Sequence, residues 1–293
     1  METARATHPR RAPSGALLII LACAAWSFAG VLSKWAPWSA LSIIGARALV
    51  TTLVFGLSRK SFRPSLSRGN LLGALGVLLT SALFIIANKL TSAANAIVLQ
   101  YAMPVVVILI YWVVYKQRPG WLDVGAALLV LGGVALCFMG GLGRGGLLGD
   151  TLALLSAFTF ALVFFSARLK DADPMDYTYL GSLLASLFLL YLPFDRQFTL
   201  APQALLAVGL MGLCLTAGYL LFTAGMRKRV HPVTAAIVAN VEPVLNPIWA
   251  FLFIGEHPGT WSILGAALVI LGVSTYSVLK NRQERRGAAA SPA

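Results

Sequence analysis

Trp121-Leu-Asp-Val-Gly-Ala-Ala-Leu-Leu-Val-Leu-Gly132 returns later in the chain as Trp261-Ser-Ile-Leu-Gly-Ala-Ala-Leu-Val-Ile-Leu-Gly272, with the tryptophan, the Gly-Ala-Ala-Leu core and the final Leu-Gly kept. A Pro-Gly pair stands just before each copy. The preceding apolar run of each copy contains a proline, Pro104 in the first and Pro243 in the second. Duplicated apolar chains with a broken helix at the same place in each copy are typical of secondary transporters, whose site lies where the copies meet.

The composition indicates a membrane protein. Hydrophobic residues make up 58% of the 293 residues and charged residues only 11%, and the mean hydropathy is +0.81. Soluble domains carry about 25% charged residues, so this chain cannot cover itself with a hydrated surface. The net charge of +13 does not indicate nucleic acid, because the basic residues lie in loops and at the ends. We expect no nucleic-acid partner.

Ten apolar runs separated by charged or Pro/Gly breaks predict an all-α integral membrane protein with ten transmembrane helices. The first repeat (15–141) holds the runs 15–33, 38–57, 70–87, 92–114 and 121–141, and the second repeat (149–279) holds 149–167, 174–194, 203–225, 232–254 and 259–279. Residues 140–146 are a Gly-rich linker between the repeats. The first run follows basic residues as a signal peptide would, but its counterpart 149–167 is a full span, so we expect it to be retained.

The distribution of Lys and Arg predicts the orientation. With the N-terminus inside, 18 of the 23 basic residues fall in inner segments, four fall in outer loops and Arg47 lies within a span. The positive-inside rule therefore places both tails, 1–14 and 280–293, in the cytoplasm. Because five spans per repeat is an odd number, the second copy enters the membrane from the opposite side, and the repeats are inverted.

Several ordered motifs resemble one transporter family. They are Ala24-Ala-Trp26-Ser27 with Lys34, then Arg47, Ala93-Ala-Asn-Ala-Ile-Val-Leu-Gln-Tyr-Ala-Met-Pro104, Gly149-Asp150, and Ala235-Ala-Ile-Val-Ala-Asn-Val-Glu-Pro-Val244 running to Gly255-Glu256. On these residues the chain resembles the drug/metabolite transporter superfamily, in its bacterial type with two EamA domains. The likeness covers about residues 15–279.

The resemblance implies a ten-helix fold with a central cavity that works by alternating access and most often exports small metabolites such as amino acids. It also implies a multi-pass protein of the plasma membrane, which is the inner membrane if the source is bacterial. One departure stands out: the Gly-Glu that ends the broken helix is present as Gly255-Glu256 in copy two, whereas Gln117 occupies the matching place in copy one.

Two opposite charges fall near the middle of the membrane. Arg47 is halfway along its run, and Glu242 is halfway along run 232–254 and next to the proline break. A charge at this depth costs about 2.5–3.5 kcal/mol on insertion scales, so it should be paired or face water. Three interpretations stay open: the two residues pair, Arg47 binds a substrate carboxylate, or Glu242 titrates as a coupling group.

Polar side chains also surround the two prolines. Each proline frees the carbonyl four residues before it, that of Gln100 for Pro104 and that of Ala239 for Pro243. Irregular backbone at membrane depth survives only against protein or a wet cavity. We therefore predict a substrate surface near the breaks; the alternative for its amides is hydrogen bonding between helices. Its members are Gln100, Tyr101, Asn240, Glu242 and Asn246.

Aromatic rings at the centre of the spans complete the predicted site. Trp26 and Ser27 lie midway along the first run, Phe160 lies at the matching point of run 149–167, and Tyr219 lies midway along run 203–225. Interfacial belts do not explain rings at this depth. They either pack the core or form the wall of a cavity for an amphipathic ligand.

These features predict a secondary-active carrier of a small polar or amphipathic solute. A channel-like facilitator or a flippase of lipids or lipid precursors would use the same fold. A membrane enzyme is disfavoured, because no Gly-x-Ser-x-Gly, His-Glu-x-x-His or paired intramembrane aspartate occurs. With neither a phosphate-binding loop nor a metal-ligand spacing, we expect no cofactor and no metal. Expected partners are the solute, membrane lipids, and a proton or counter-substrate; the oligomeric state stays open.

Overall fold

The computed structural model describes residues 14–91, 93–139, 147–254 and 260–290, and all regular structure within these ranges is helical. The predicted linker 140–146, the Gly255-Glu256 pair and most of the N-terminal tail lie outside the described residues. The helices of the first half are α1 (Gly15–Trp26), α2 (Phe28–Trp35), α3 (Ala40–Ser58), α4 (Arg68–Leu90), α5 (Ala93–Gln100), α6 (Met103–Tyr115) and α7 (Trp121–Met139). Those of the second half are α8 (Leu147–Ser166), α9 (Pro174–Ser186), α10 (Pro202–Arg227), α11 (Pro232–Val238), α12 (Glu242–Ile254) and α13 (Thr260–Ala290). Short 3₁₀ turns follow α9 (Leu187–Phe194) and α11 (Ala239–Val241).

Helix starts coincide with capping residues in the sequence. Ser14, Ser39 and Ser67 precede α1, α3 and α4, and each hydroxyl accepts the N–H of the residue three positions on. At the start of α9, the carboxylate of Asp173 accepts the N–H of Met175, two positions on. Such side chains satisfy backbone donors that have no partner inside the helix. The polar breaks between the apolar runs therefore also fix where the helices begin.

Both proline-containing runs are split into two helices. Pro104 lies in the first turn of α6 and Pro243 in the first turn of α12, where a missing N–H is tolerated. The expectation that the Ala239 carbonyl is freed is wrong, because the chain tightens into a 3₁₀ turn in which this carbonyl accepts the N–H of Glu242.

The first run is interrupted as well, at Ser27 between α1 and α2. Ser27 keeps helical dihedral angles, and its N–H still donates to the carbonyl of Cys23. The interruption is therefore a local disturbance of one long helix rather than a turn.

The two halves pack against each other along their lengths. Helix α4 lies against α8 and α9, α1 lies against α10, and α3 lies against α9 and α10. Close approach requires small residues at some contacts: a Cβ added at Gly73 would come within 2.5 Å of the Tyr177 ring, and one at Gly181 within 2.7 Å of Val77. Helices in lipid commonly pack through such glycines.

The distribution of polarity is that of a protein solvated by lipid. Large apolar side chains such as Leu53, Leu128 and Leu190 are exposed, whereas Arg47 and Glu242 are buried. Within the described residues, seven helical stretches are long and apolar enough to cross a membrane, and three shorter apolar stretches occur at Met103–Tyr115, Trp121–Gly133 and Ile263–Tyr276. Such an apolar exterior around buried charges is expected of a multi-pass membrane protein.

The last helix continues beyond its predicted span. Helix α13 runs from Thr260 to Ala290, so it includes most of the residues that the sequence assigns to the C-terminal tail. The stretch after Leu279 is rich in Arg, Gln, Glu and Ala, most of which are good helix formers, so the helix extends past the apolar part.

One carboxylate ties the loop after the first 3₁₀ turn to the start of α3. Asp195 accepts the backbone N–H of Ser39 and that of Gln197, each at 2.9 Å. Burial alone would raise the pKa of Asp195, but hydrogen bonds from Ser42, Gln197 and Ser39 outweigh it and lower the pKa below its usual value.

Candidate functional site

A cavity of about 60 Å³ lies between the two halves of the helix bundle. Both halves contribute to its wall through residues of eight helices, namely Trp26, Ala29, Arg47, Thr80, Ser81, Phe84, Gln100, Phe160, Leu215, Tyr219 and Glu242. Six of the residues predicted from the sequence are among them: Trp26, Arg47, Gln100, Phe160, Tyr219 and Glu242. The structure therefore brings together side chains separated by more than half of the chain.

Arg47 is a buried cation with unused hydrogen-bonding capacity. Its side chain projects from the middle of α3 and is 3% exposed. One terminal nitrogen, Nη2, donates to the hydroxyl of Ser81 at 2.6 Å and to the Ser81 carbonyl at 3.3 Å, while Nε has no hydrogen-bond partner among the described residues. A guanidinium has five donors, and leaving them unused inside a protein is costly. Arg47 is therefore suited to bind a carboxylate or another acceptor in the cavity.

Glu242 is a buried carboxyl at the first residue of α12. It is 5% exposed, and its Oε2 accepts a hydrogen bond from the hydroxyl of Tyr101. Tyr101 lies in the break between α5 and α6 and is fully buried. The two proline breaks, one from each half, are thus joined by this hydrogen bond.

Arg47 and Glu242 do not form an ion pair. The hydrogen bonds of Arg47 go to Ser81, that of Glu242 comes from Tyr101, and no contact within 4.0 Å joins the two charges in the part of the chain that the structure describes. The hypothesis that they pair is therefore wrong for this conformation. The physical reason is that each residue already has a neutral partner, Ser81 on α4 for Arg47 and Tyr101 in the α5–α6 break for Glu242, and both face the cavity.

Aromatic rings form one wall of the cavity. Trp26 meets Phe160 edge-on at 6.0 Å and Tyr219 at 5.1 Å between ring centroids. The indole N–H donates to the carbonyl of Leu215 at 3.3 Å, which fixes the orientation of the ring. Helix α10 comes this near because Gly218 has no side chain; a Cβ there would lie 2.2 Å from the indole nitrogen. Edge-on aromatic pairs of this kind stabilise a rigid apolar surface.

Four predicted site residues lie away from the cavity wall. The Ser27 carbonyl accepts the Asn246 amide at 3.2 Å, and the Ser27 hydroxyl accepts the indole N–H of Trp249 at 2.6 Å. Asn240 donates within its own helix, to the carbonyl of Ala236 at 2.9 Å. Tyr101 supports Glu242. These are helix-bridging or local roles, the alternative that the sequence left open for the amides.

Sequence reasoning missed part of the wall. Thr80, Ser81 and Phe84 lie on consecutive turns of α4, and Gly218 allows α10 to approach Trp26. The adjacent Thr80-Ser81 pair in the middle of an otherwise apolar run was a usable signal, because hydroxyls at that depth need partners. Nothing in the sequence distinguished Gly218 from the other glycines.

No metal site is evident: within the described residues, no group of three or more His, Cys, Asp and Glu side chains is placed to hold an ion. The cavity instead offers a guanidinium, a carboxyl, an amide and two hydroxyls between aromatic walls. This combination suits a small molecule that carries both charge and apolar surface.

An apolar bundle of two repeated halves around a polar cavity defines a multi-pass membrane protein of the transporter class. The EamA-like transporter family model matches residues 13–139 and again residues 147–278. The chain therefore belongs to the EamA-like transporter family, as its resemblance to the drug/metabolite transporter superfamily predicted.

Two known proteins are similar to this chain. The chain is 27% identical over 297 aligned positions to the "Uncharacterized transporter YwfM" of Bacillus subtilis (strain 168), covering 93% of this chain and 97% of that protein. One crystal structure superimposes with a TM-score of 0.72 at 18% identity, covering 92% of this chain and 98% of its own. At that level of identity the superposition shows a shared fold.

Proposed function

We propose that the protein is a secondary-active transporter that moves a small zwitterionic or amphipathic metabolite, such as an amino acid, across the plasma membrane by alternating access. The observation that carries the proposal is Arg47, a buried guanidinium with an unpartnered Nε at the wall of a cavity between the two halves. An unpaired charge at membrane depth is expensive and usually marks a substrate or ion pathway. Export is the direction that the family resemblance favours.

The architecture that supports this mechanism has ten spans. The seven long helices and the three shorter apolar stretches together correspond to the ten predicted runs. In this proposal, residues 15–141 and 149–279 form inverted repeats, and both tails are cytoplasmic. The excess of Lys and Arg in alternate loops supports the orientation. Cysteines introduced at Ser61 and at Arg285 should then react with an impermeant reagent from the same, inner side.

The chemistry of the cavity matches a zwitterion. Arg47 would hold the carboxylate of the cargo by charge-assisted hydrogen bonds, which are the strong class of such bonds. Glu242, held by Tyr101, would accept an amine of the cargo or, between cycles, a proton or the amine of a counter-substrate. Trp26, Phe160 and Tyr219 would contact the apolar part. Because Arg47 and Glu242 are not paired with each other, neither charge has to be released before cargo binds.

The size of the cavity favours movement during the cycle. Pockets that enclose a drug-sized ligand measure about 300–1,000 Å³, whereas this cavity measures about 60 Å³. In this proposal the halves separate to admit cargo. The interruptions in α5–α6 and α11–α12 are suited to act as hinges, since their backbone is already irregular.

The test is solute counterflow in proteoliposomes with a panel of labelled amino acids and related metabolites. The intact protein should show saturable exchange that is stimulated by solute on the opposite side. Arg47→Gln should lose it for carboxylate-bearing solutes, while Arg63→Gln, which removes an exposed arginine from the loop before α4, should retain it. Absence of exchange with any solute of a broad library would refute the carrier. Flux without saturation or trans-stimulation would indicate a channel instead.

A further inference from the structure

The side chain of Arg47 is held at its charged end by one residue, Ser81 of α4. Nη2 donates to the Ser81 hydroxyl at 2.6 Å and to the Ser81 carbonyl at 3.3 Å. No other hydrogen bond of the guanidinium occurs among the described residues. Because an arginine side chain has many rotamers, this contact decides where the guanidinium lies at the cavity wall.

Ser81 uses its hydroxyl differently from other buried hydroxyls of the bundle. The hydroxyl of Ser156 donates to the Ala153 carbonyl of its own helix at 2.6 Å, and that of Thr52 donates to the carbonyl four residues back at 2.9 Å. Such local bonding is common for hydroxyl side chains inside helices. The Ser81 hydroxyl instead accepts a hydrogen bond from an arginine on another helix.

The backbone that carries Arg47 is fixed against the second half. One turn further along α3, the hydroxyl of Thr51 shares a hydrogen bond of 3.0 Å with that of Thr216 in α10. Helix α10 lies close here because Gly212 has no side chain; a Cβ there would lie 2.9 Å from Val50. The root of the Arg47 side chain is therefore fixed, and the guanidinium end is the part that needs a second anchor.

The helix that carries Ser81 is also fixed against the second half. The neighbouring residue, Thr80, donates its hydroxyl to that of Thr159 in α8 at 2.9 Å. One turn earlier, a Cβ added at Gly76 would come within 3.1 Å of the Thr159 carbonyl. Since Phe160 follows Thr159 and lines the cavity, Ser81 holds the guanidinium in a fixed place relative to the aromatic wall.

We propose that Ser81 is a positioning residue, which presets the Arg47 guanidinium for the carboxylate of the cargo. This role rests on the proposed function, in which Arg47 binds that carboxylate. With the hydroxyl in place, the guanidinium is oriented before cargo enters, so binding does not have to order a flexible side chain. Ser81 acts through Arg47, and it therefore affects how tightly cargo binds rather than how fast the two halves move.

The experiment is counterflow in proteoliposomes, measured against concentration for the amino acid of the panel that the intact protein exchanges fastest. Ser81→Ala should raise the concentration for half-maximal exchange about fivefold, the size expected when a side chain must be ordered on binding. The maximum rate should stay within about twofold, since a positioning role does not limit the movement of the halves. Ser81→Thr keeps the hydroxyl and should restore the normal half-saturation, and Ser81→Cys, with a weaker acceptor, should give an intermediate rise.

The matched control is Ser156→Ala, which removes a buried serine hydroxyl that bonds only within its own helix. Its half-saturation should equal that of the intact protein, and the Tm of each variant in detergent checks that it is folded.

The outcomes separate this role from the proposed function. No exchange by the intact protein, or normal exchange of carboxylates by Arg47→Gln, would contradict the proposed function itself. If exchange occurs and depends on Arg47, an unchanged or lower half-saturation in Ser81→Ala would overturn the role of Ser81. A fall in maximum rate alone, or an equal rise in Ser156→Ala, would also overturn it, because either would indicate a general structural effect.

Discussion

The two proline-broken spans descend from one duplicated unit, yet they differ where the chain is interrupted. When Pro104 is aligned with Pro243, Tyr101 corresponds to Asn240 and Met103 corresponds to Glu242. The first copy thus places a fully buried methionine where the second places a carboxyl. The hydrogen bond from Tyr101 to Glu242 joins positions that the alignment does not equate. The two copies therefore share a proline break, but they differ in the side chains beside it, and only the second has a carboxyl there.

The segments after the breaks differ in the same way. In α12, Asn246 and Trp249 donate to Ser27 and hold this helix against the α1–α2 junction. The aligned positions in α6 are Val107 and Ile110, both apolar. Ile110 instead lines an apolar groove between α6 and α8. The segment after the second break is therefore held against the α1–α2 junction by hydrogen bonds, whereas the aligned residues of α6 are apolar.

Removing the charge that distinguishes the second copy should have the largest effect. Glu242→Gln keeps the shape of the side chain but cannot hold an amine or exchange a proton, so counterflow should fall at least about tenfold, the cost of roughly 1.4 kcal/mol of lost binding. The control is the aligned position: Met103→Leu preserves an apolar core and should leave exchange near the normal rate. Equal rates in the two variants would remove the distinction between the breaks.

The hydrogen bond between the breaks should have a smaller effect. Tyr101→Phe deletes only the hydroxyl, so the carboxyl loses one hydrogen-bond partner but stays in place. The exchange rate should therefore fall roughly fivefold, which corresponds to the loss of about 1 kcal/mol. In a double-mutant cycle, adding Tyr101→Phe to Glu242→Gln should reduce exchange by less than it does alone. Strictly additive losses would show that Tyr101 acts independently of Glu242.

The hydrogen bond from Asn246 of α12 to Ser27 should affect stability more than transport. Asn246→Leu removes the donor to the Ser27 carbonyl, which should lower the free energy of unfolding by about 1 kcal/mol and lower Tm measurably. Asn240→Leu is the matched change, because its Oδ1 is buried without a hydrogen-bond partner among the described residues. Removing that atom should offset the loss of the local hydrogen bond from Nδ2 to the Ala236 carbonyl, so Tm should fall less than in Asn246→Leu. The reverse order of the two Tm values would contradict the assigned roles.

The smallest effect concerns the loop that follows the 3₁₀ turn after α9 and is tied to the start of α3. Hydrogen bonds lower the pKa of Asp195 below its usual value, so its ionised form is favoured in the folded state. The stability that it contributes is present above its unfolded pKa and is lost as the pH falls through the lower, folded value. An ordinary Asp has a pKa of about 3.9, so the range from pH 5 to pH 3 covers its titration. Over this range, Tm should fall less for Asp195→Asn than for the intact protein. Parallel Tm profiles would show that the loop carboxylate is not linked to folding.

Much of this fold followed from hydrophobic runs and two prolines, because those features act locally. The sequence also placed Arg47 and Glu242 midway along their runs, and both are buried in the structure. The sequence did not show which polar side chains line the cavity and which bond to another helix, because that depends on how neighbouring helices pack. Ser27 and Asn246 were therefore placed in the predicted site, although they bond to each other, and Ser81, the partner of Arg47, was missed.

The Ala239 carbonyl illustrates a different limit. The rule for proline predicted that this carbonyl would be free, and it would be in a continuous α-helix. The chain instead forms a 3₁₀ turn over Ala239–Val241, and the Ala239 carbonyl accepts the N–H of Glu242. The proline rule assumes a continuous α-helix, so it fails where the backbone changes from α-helical to 3₁₀ hydrogen bonding.

The central claim is that both halves surround one water-accessible cavity that opens to each side in turn. The most direct measurement is the reaction of a single cysteine at Thr80 with a charged, impermeant thiol reagent, after the three native cysteines have been replaced. The account predicts labelling from either side of the membrane, in vesicles of both orientations, and protection by transported solute. Labelling from neither side, or from one side only and without protection, would contradict it.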